Sequence, residues 1–252
     1  MNFKVGDLVT RLSHDNDIVF KIIAIDVNKC YLKGEYVRLY ADCNISDLKL
    51  YDDIDNEERD FINKISTKMD LREDYFYLPG KILHIDGDIE YLDKCLNYYK
   101  SLNLWAKGIV EKESIIPTTI KKYLEEYNPN IVVITGHDAF YKKDTSYKNS
   151  QYFVEAIKEA RKYEKSHDKL LIIAGACQSN YEELIKAGAN FASSPKRINI
   201  HALDPAIVAS KLSLSSISDD INLKEILENT KYGSKGMGGI VTKGTMYIGY
   251  PR

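Results

Sequence analysis

Two apolar runs in this chain each stop at a glycine and then present a side chain that can move a proton or attack a carbonyl. The first, Ile131-Val132-Val133-Ile134-Thr135-Gly136-His137-Asp138, delivers an imidazole. The second, Leu170-Leu171-Ile172-Ile173-Ala174-Gly175-Ala176-Cys177-Gln178-Ser179, delivers a thiol. A thiolate is a strong nucleophile, and a nearby imidazole can take the thiol proton and later give it to a leaving amine. The pair therefore points to thiol hydrolysis. Cys177 would form a thioester with the acyl group of the substrate, and His137 would act first as base and then as acid. The backbone N–H of Cys177 is the expected oxyanion donor, with Gly136, Asp138, Ala176 and Gln178 supporting the centre. A helix expected to begin at Gln178-Ser179 would set the thiol at the positive end of a helix dipole.

Other histidines compete for the role of base. His201, within Asn199-Ile200-His201-Ala202-Leu203-Asp204-Pro205, is the alternative. His84 lies inside an apolar strand and reads as buried support, while His14 and His167 sit in polar surroundings. Gly175-Ala176-Cys177-Gln178-Ser179 also approximates a nucleophile elbow with Ser in place of the last glycine. A glutamine amidotransferase-like hydrolase would then pair Cys177 with His201. Cys30, Cys43 and Cys95 read as structural cysteines.

These residues need strands to hold them. From residue 79 to 252 the pattern alternates apolar runs with amphipathic stretches. Strands are expected at 82–85, 105–110, 131–135, 170–174 and 190–193, with one or two more within 238–249. Helical faces run through Tyr91, Leu92, Cys95, Leu96 and Tyr99, then from Pro117 through Tyr127. Others run through Phe153 to Tyr163, around Leu184 and Ile185, and over 206–212 and 223–229. The alternation predicts an α/β domain with a mostly parallel sheet and helices on both faces, a doubly wound or caspase-like arrangement. Ligand sites in such sheets lie at the carboxyl ends of the strands. His137, Cys177 and the acidic tip Asp86-Gly87-Asp88 all fall on that rim.

Residues 1–52 read differently. Short alternating strands at 7–12, 17–25, 30–32, 35–40 and 48–51 suggest a small SH3-like β-barrel. Residues 53–78 form a charged linker, with a helix suggested by Ile62, Ile65 and Met69.

Composition narrows the function classes. With 252 residues, 44% hydrophobic and 29% charged, the chain can bury a core. Its net charge of −2 carries no field that recruits nucleic acid. Four widely spaced cysteines form neither a disulfide framework nor a zinc motif. Met1 to Asp7 has no apolar signal core, and no run approaches a membrane span. The expectation is a cytoplasmic protein needing neither cofactor nor metal, with protein partners and no nucleic acid or membrane. The sequence gives no oligomeric state.

A hydrophobic block ending in His-Gly followed by another ending in Ala-Cys resembles the clan of caspase-, clostripain- and gingipain-like cysteine peptidases. Ala176-Cys177 fits that pattern. The first block departs from it, since Gly136 precedes His137 and the N–H after the histidine belongs to Asp138. Nearly end to end, the chain is similar to the YabG family of sporulation-specific peptidases from spore-forming Firmicutes. Gly6-Asp7-Leu8-Val9-Thr10-Arg11, Leu83-His84-Ile85-Asp86-Gly87-Asp88, Val133 to Asp138, Ala174 to Ser179, Ala187 to Pro195, Asn199 to Pro205 and Gly238-Gly239-Ile240 carry the likeness. That resemblance implies an endopeptidase of the mother-cell cytoplasm or spore coat that cleaves coat and germination proteins after arginine. An arginine preference needs a carboxylate to meet the guanidinium. Asp86, Asp88, Asp138 and Asp204 are candidates, with Ser193 in the pocket wall. Asp88 could instead cap the next helix. Lys196-Arg197, if exposed, is a possible self-cleavage site. The competing view is a non-catalytic spore-layer scaffold.

Overall fold

The computed structural model describes residues 3–51, 61 and 74–251. Contacts divide the chain into two units, Met1–Asn63 and Lys64–Arg252. The helix suggested around Ile62, Ile65 and Met69 lies outside the described residues, as does most of the stretch read as a linker.

The first unit is a five-stranded antiparallel sheet. Strands β1 (Leu8–Arg11), β2 (Phe20–Asp26), β3 (Lys29–Gly34) and β4 (Tyr40–Asn44) form a meander, and β5 (Leu48–Leu50) returns to pair with β1. Alternate residues Phe20 and Ile22 face a small core with Val9, Cys30, Leu32 and Leu48. The strand expected at 35–40 is displaced to Tyr40–Asn44. At Gly34 the chain doubles back, its N–H donating to Leu39 O at 2.7 Å. An added Cβ there would stand 2.2 Å from Val37 O, so only glycine permits the turn.

In the second unit, a short strand β6 (Phe76–Leu78) pairs with the final strand β15 (Tyr247–Gly249). The main sheet comprises β7 (Ile82–Asp86), β8 (Ala106–Val110), β9 (Ile131–Thr135), β12 (Leu171–Ala174), β13 (Phe191–Ser193) and β14 (Met237–Gly239). A two-stranded hairpin, β10 (Phe140–Tyr141) with β11 (Ser146–Tyr147), projects after β9. The sheet order is β14-β13-β12-β9-β7-β8, and all neighbours are parallel except β13 and β14. Every residue of β7, β9 and β12 is buried, which explains the apolar runs of β9 and β12.

Helices cover both faces. Helix α1 (Ile89–Ser101) links β7 to β8, and α2 (Ile116–Tyr127) links β8 back to β9. Helices α3 (Ser150–Tyr163) and α4 (Tyr181–Ala187) follow β11 and β12, and α5 (Asp204–Leu214) and α6 (Leu223–Glu228) precede β14. Leu83, Ile85, Val132, Ile134 and Ile172 point to α2, α3 and α4, meeting Ile120, Leu124, Phe153 and Leu184. The alternate residues face α1 and α5. Helix α5 is apolar or small nearly all round and buried along most of its length, as a core helix must be. The step from β7 to β8 runs one way across the sheet and the return to β9 runs the other. Right-handed crossovers then put α1 and α2 on opposite faces and open a crevice at the carboxyl ends of β7 and β9.

Candidate active site

The strand register brings three of the nominated residues to one level. Ile134 is paired with Ile85 on one side and Ala174 on the other. Asp88, His137 and Cys177 each stand three residues beyond that level on neighbouring strand tips.

His137 lies among carboxylates. Its Nε2 is 3.7 Å from Asp88 Oδ2 and its Nδ1 is 3.7 Å from Glu113 Oε1. The His137 backbone N–H donates to the same Glu113 oxygen at 2.8 Å. The Tyr91 ring of α1 lies 5.8 Å from the imidazole. Glu113, on the loop after β8, reaches across β7 to make these contacts. It does so over bare backbone, since a Cβ on Gly87 or Gly136 would fall 2.4 or 2.5 Å from Glu113 Oε1. The glycine before His137 therefore admits the carboxylate that holds it.

Burial pushes the Glu113 carboxyl up, but hydrogen bonds from His137 and the attraction of its imidazole outweigh this and leave the group below its ordinary value of 4.5. A folded-state value below the unfolded one adds stability above the unfolded value, and that stability is lost as pH falls through the folded value. Glu113→Gln should remove this contribution. Thermal melts between neutral and acid pH should then show a shallower acid-side loss than in the wild type, and parallel curves would refute it.

The other acids serve the framework. Asp88 Oδ1 caps α1 by accepting the Glu90 N–H at 2.9 Å. Asp86 is fully buried, its Oδ1 accepting from Asp88 N at 2.9 Å and its Oδ2 from the Thr135 hydroxyl at 2.7 Å. His84 extends this network, with Nε2 2.8 Å from Thr135 Oγ1 and Nδ1 2.9 Å from the Tyr99 hydroxyl. Asp138 ties the loops carrying His137 and Cys177 together. Its Oδ1 accepts from Ala139 N and Asn149 N at 2.9 and 2.8 Å, and its Oδ2 from the Ser150 and Ser179 hydroxyls. Asn149 Nδ2 also donates to His137 O at 2.8 Å. Asp204 accepts from His201 N at 3.0 Å and Lys231 N at 2.8 Å. Ser193 is buried, its hydroxyl 3.6 Å from the Met237 sulfur.

Cys177 sits in a turn, not at a helix start. Helix α4 begins four residues later, with Asn180 as its cap. The turn needs Gly175, whose φ of +111° is left-handed and whose added Cβ would lie 2.9 Å from Leu184 Cδ1. Gln178 is also left-handed, at φ +59°. The Cys177 side chain is fully buried, with Sγ accepting the Ile200 N–H at 3.3 Å and lying 3.7 Å from Ile200 O. Ala176 N donates to Ser179 Oγ at 2.9 Å, and Gln178 N to Ser194 Oγ and Ile198 O at 3.0 and 3.1 Å. The Gln178 side chain bridges Phe140 N and Asn199 Oδ1 at 3.1 Å each.

His201 follows Ile200 directly and is buried. Its Nδ1 accepts the Leu203 N–H at 3.1 Å, so the neutral ring carries its proton on Nε2. Sequence reasoning missed Glu113, Thr135, Ser179 and Ile200. Only Glu113 had a signal, as an acid just past a strand end on the same rim. Among the described residues no group of three or more His, Cys, Asp or Glu is arranged to hold a metal ion, and no helix is long and apolar enough to cross a membrane.

Sequence comparison places this α/β protein among the peptidases. The model of the family described as YabG peptidase U57 matches residues 4–71 and 54–251, and the chain belongs to that family. A curated relative, the sporulation-specific protease YabG of Bacillus subtilis (strain 168), is 40% identical over 286 residues, covering 100% of this chain and 99% of the relative. A solved GDP-L-fucose synthetase from Naegleria fowleri aligns at a TM-score of 0.27 and 12% identity, over 58% of this chain and 44% of that one. A likeness that weak carries no argument.

Proposed function

We propose that this chain is a sporulation-associated cysteine endopeptidase that cuts spore coat and germination proteins after arginine, acting in the mother-cell cytoplasm or on the coat. The observation that carries it is the shared level of Cys177 and His137 on adjacent parallel strand tips. Cys177 attacks the scissile carbonyl and forms a thioester, and His137 takes the thiol proton and returns it to the leaving amine. The N–H of Cys177 stabilises the oxyanion. Selecting arginine needs a carboxylate that substrate can reach. Asp86, Asp138 and Asp204 have both oxygens engaged inside the fold, and Asp88 caps α1 while facing His137.

In this reading the main sheet is caspase-like and the N-terminal sheet an SH3-like barrel, supported by the return of β5 to β1. Alkylating the enzyme with iodoacetamide should abolish cleavage of an arginine-containing peptide in step with modification of Cys177. Full activity after complete modification of Cys177 would end the proposal.

Two rival readings each have an observation behind them. Ile200 clasps the Cys177 sulfur, which brings the neighbouring His201 into contention as base, as an amidotransferase-like hydrolase would require. The turn argues against an elbow, since the left-handed residue is Gln178 and the helix starts late. The full burial of Cys177 favours a non-catalytic scaffold, unless something uncovers the sulfur.

A further inference from the structure

The segment from Ser194 to His201 lies across the Cys177 turn. It is stitched there by the Ser194 hydroxyl to Ala176 O at 3.1 Å, by Ile198 O and Asn199 to Gln178, and by Ile200 to the Cys177 sulfur. At its centre Arg197 reaches out of the strap. Its Nη1 and Nη2 meet Glu182 Oε1 and Oε2 at 3.2 and 2.6 Å, and its Nε donates to the Tyr147 hydroxyl at 2.9 Å. Nη1 is also 3.3 Å from Pro195 O. A carboxylate that takes a guanidinium in two parallel bonds, with a hydroxyl on the third nitrogen, is matched to arginine and not to lysine.

The clamp stands beside the reactive loops. Glu182 is in the first turn of α4, just after the Cys177 turn, and Tyr147 is in the hairpin just after His137. It is also open, with the Arg197 side chain 33% and the Glu182 side chain 49% exposed, so an incoming guanidinium can reach the carboxylate from solvent. Ser194 and Arg197 hold left-handed backbone, φ +62° and +51°, which side-chain-bearing residues adopt at a cost. The strap is therefore held in place by its contacts against a local preference to relax.

We propose that Glu182 and Tyr147 form a subsite for an arginine side chain of the protein substrate, and that Arg197 fills it in the resting chain, pinning the strap over Cys177. A substrate arginine displaces Arg197, the strap loosens and the sulfur is uncovered. The proposal rests on the reading of Cys177 as nucleophile and supplies what that reading lacks, an accessible acid and a way to expose the thiol.

The test follows iodoacetamide labelling of the full chain by peptide mass spectrometry, with the buried Cys95 as internal control. Nα-acetyl-arginine amide should speed labelling of Cys177 several-fold and saturably in the wild type, while neutral Nα-acetyl-citrulline amide should not. Arg197→Ala should label several-fold faster at Cys177 without ligand and gain nothing from it, with Cys95 unchanged. Glu182→Gln should label as fast as Arg197→Ala yet raise KM for an arginine peptide, whereas Arg197→Ala lowers it. Equal effects of the arginine and citrulline amides, or an unchanged Cys177 rate in Arg197→Ala, would overturn the proposal, as would equal acceleration at Cys95. The labelling arms need no turnover. Persistence of cleavage in a chain with Cys177 fully modified would instead strike the nucleophile assignment, so the two failures are told apart.

Discussion

Cys177→Ala is expected to lower kcat/KM for an arginine-containing peptide by on the order of 10⁴-fold or more, because no acyl-enzyme can form without the sulfur. Fold should survive. The sulfur is fully buried and touches the Ile200 backbone, so its removal leaves a small gap and one unpaired N–H, a cost of about 1–2 kcal/mol. Circular dichroism and a melt displaced by only a few degrees should accompany the loss. A folded Cys177→Ala chain that cleaves like the wild type would remove the thiol from the mechanism. If instead neither chain cleaves and both bind spore-layer proteins equally, the scaffold reading gains.

His137→Ala carries the second large effect, an expected loss of roughly 10²–10⁴-fold, the usual worth of a positioned acid–base group. The comparison with His201→Ala decides the base. His137 is flanked by Asp88 and Glu113, each 3.7 Å from a ring nitrogen, a setting that orients the ring. The Nδ1 of His201 is occupied by the Leu203 N–H, so losing that ring should lower the melting temperature while leaving much of kcat. The reverse pattern, with His137→Ala active and His201→Ala dead but folded, would move the base to His201.

The parallel sheet was legible because its central strands β9 and β12 are buried on both faces and so run as apolar blocks. Pro117 and Gly188 marked helix ends for local reasons, a fixed φ at the start of one helix and a left-handed stop at the end of another. The strand at Tyr40–Asn44 was misplaced because β-branched and aromatic residues at 35–40 masked a turn enforced by Gly34. The late start of α4 was hidden too, since nothing local in Gln178-Ser179 shows that both are tied to distant partners, Ile198, Ser194 and Asp138. His137 and Cys177 could be nominated from strand tips alone. Glu113 could not be assigned to His137, since that pairing depends on reaching over β7 across two glycines. Asp86 and Asp204 looked like pocket acids in a one-dimensional view that cannot register which backbone N–H groups they serve.

The antiparallel sixth strand gives the strap its footing. Met237 pairs with Ser193, and Gly236 O accepts the Ser194 N–H at 2.7 Å, so the base of the strap is fastened to the edge strand of the main sheet. Fraying of β14 would leave the edge of β13 unpaired and the strap without that anchor. Cover over the Cys177 sulfur and closure of the sheet edge are therefore mechanically coupled, and loosening one loosens the other.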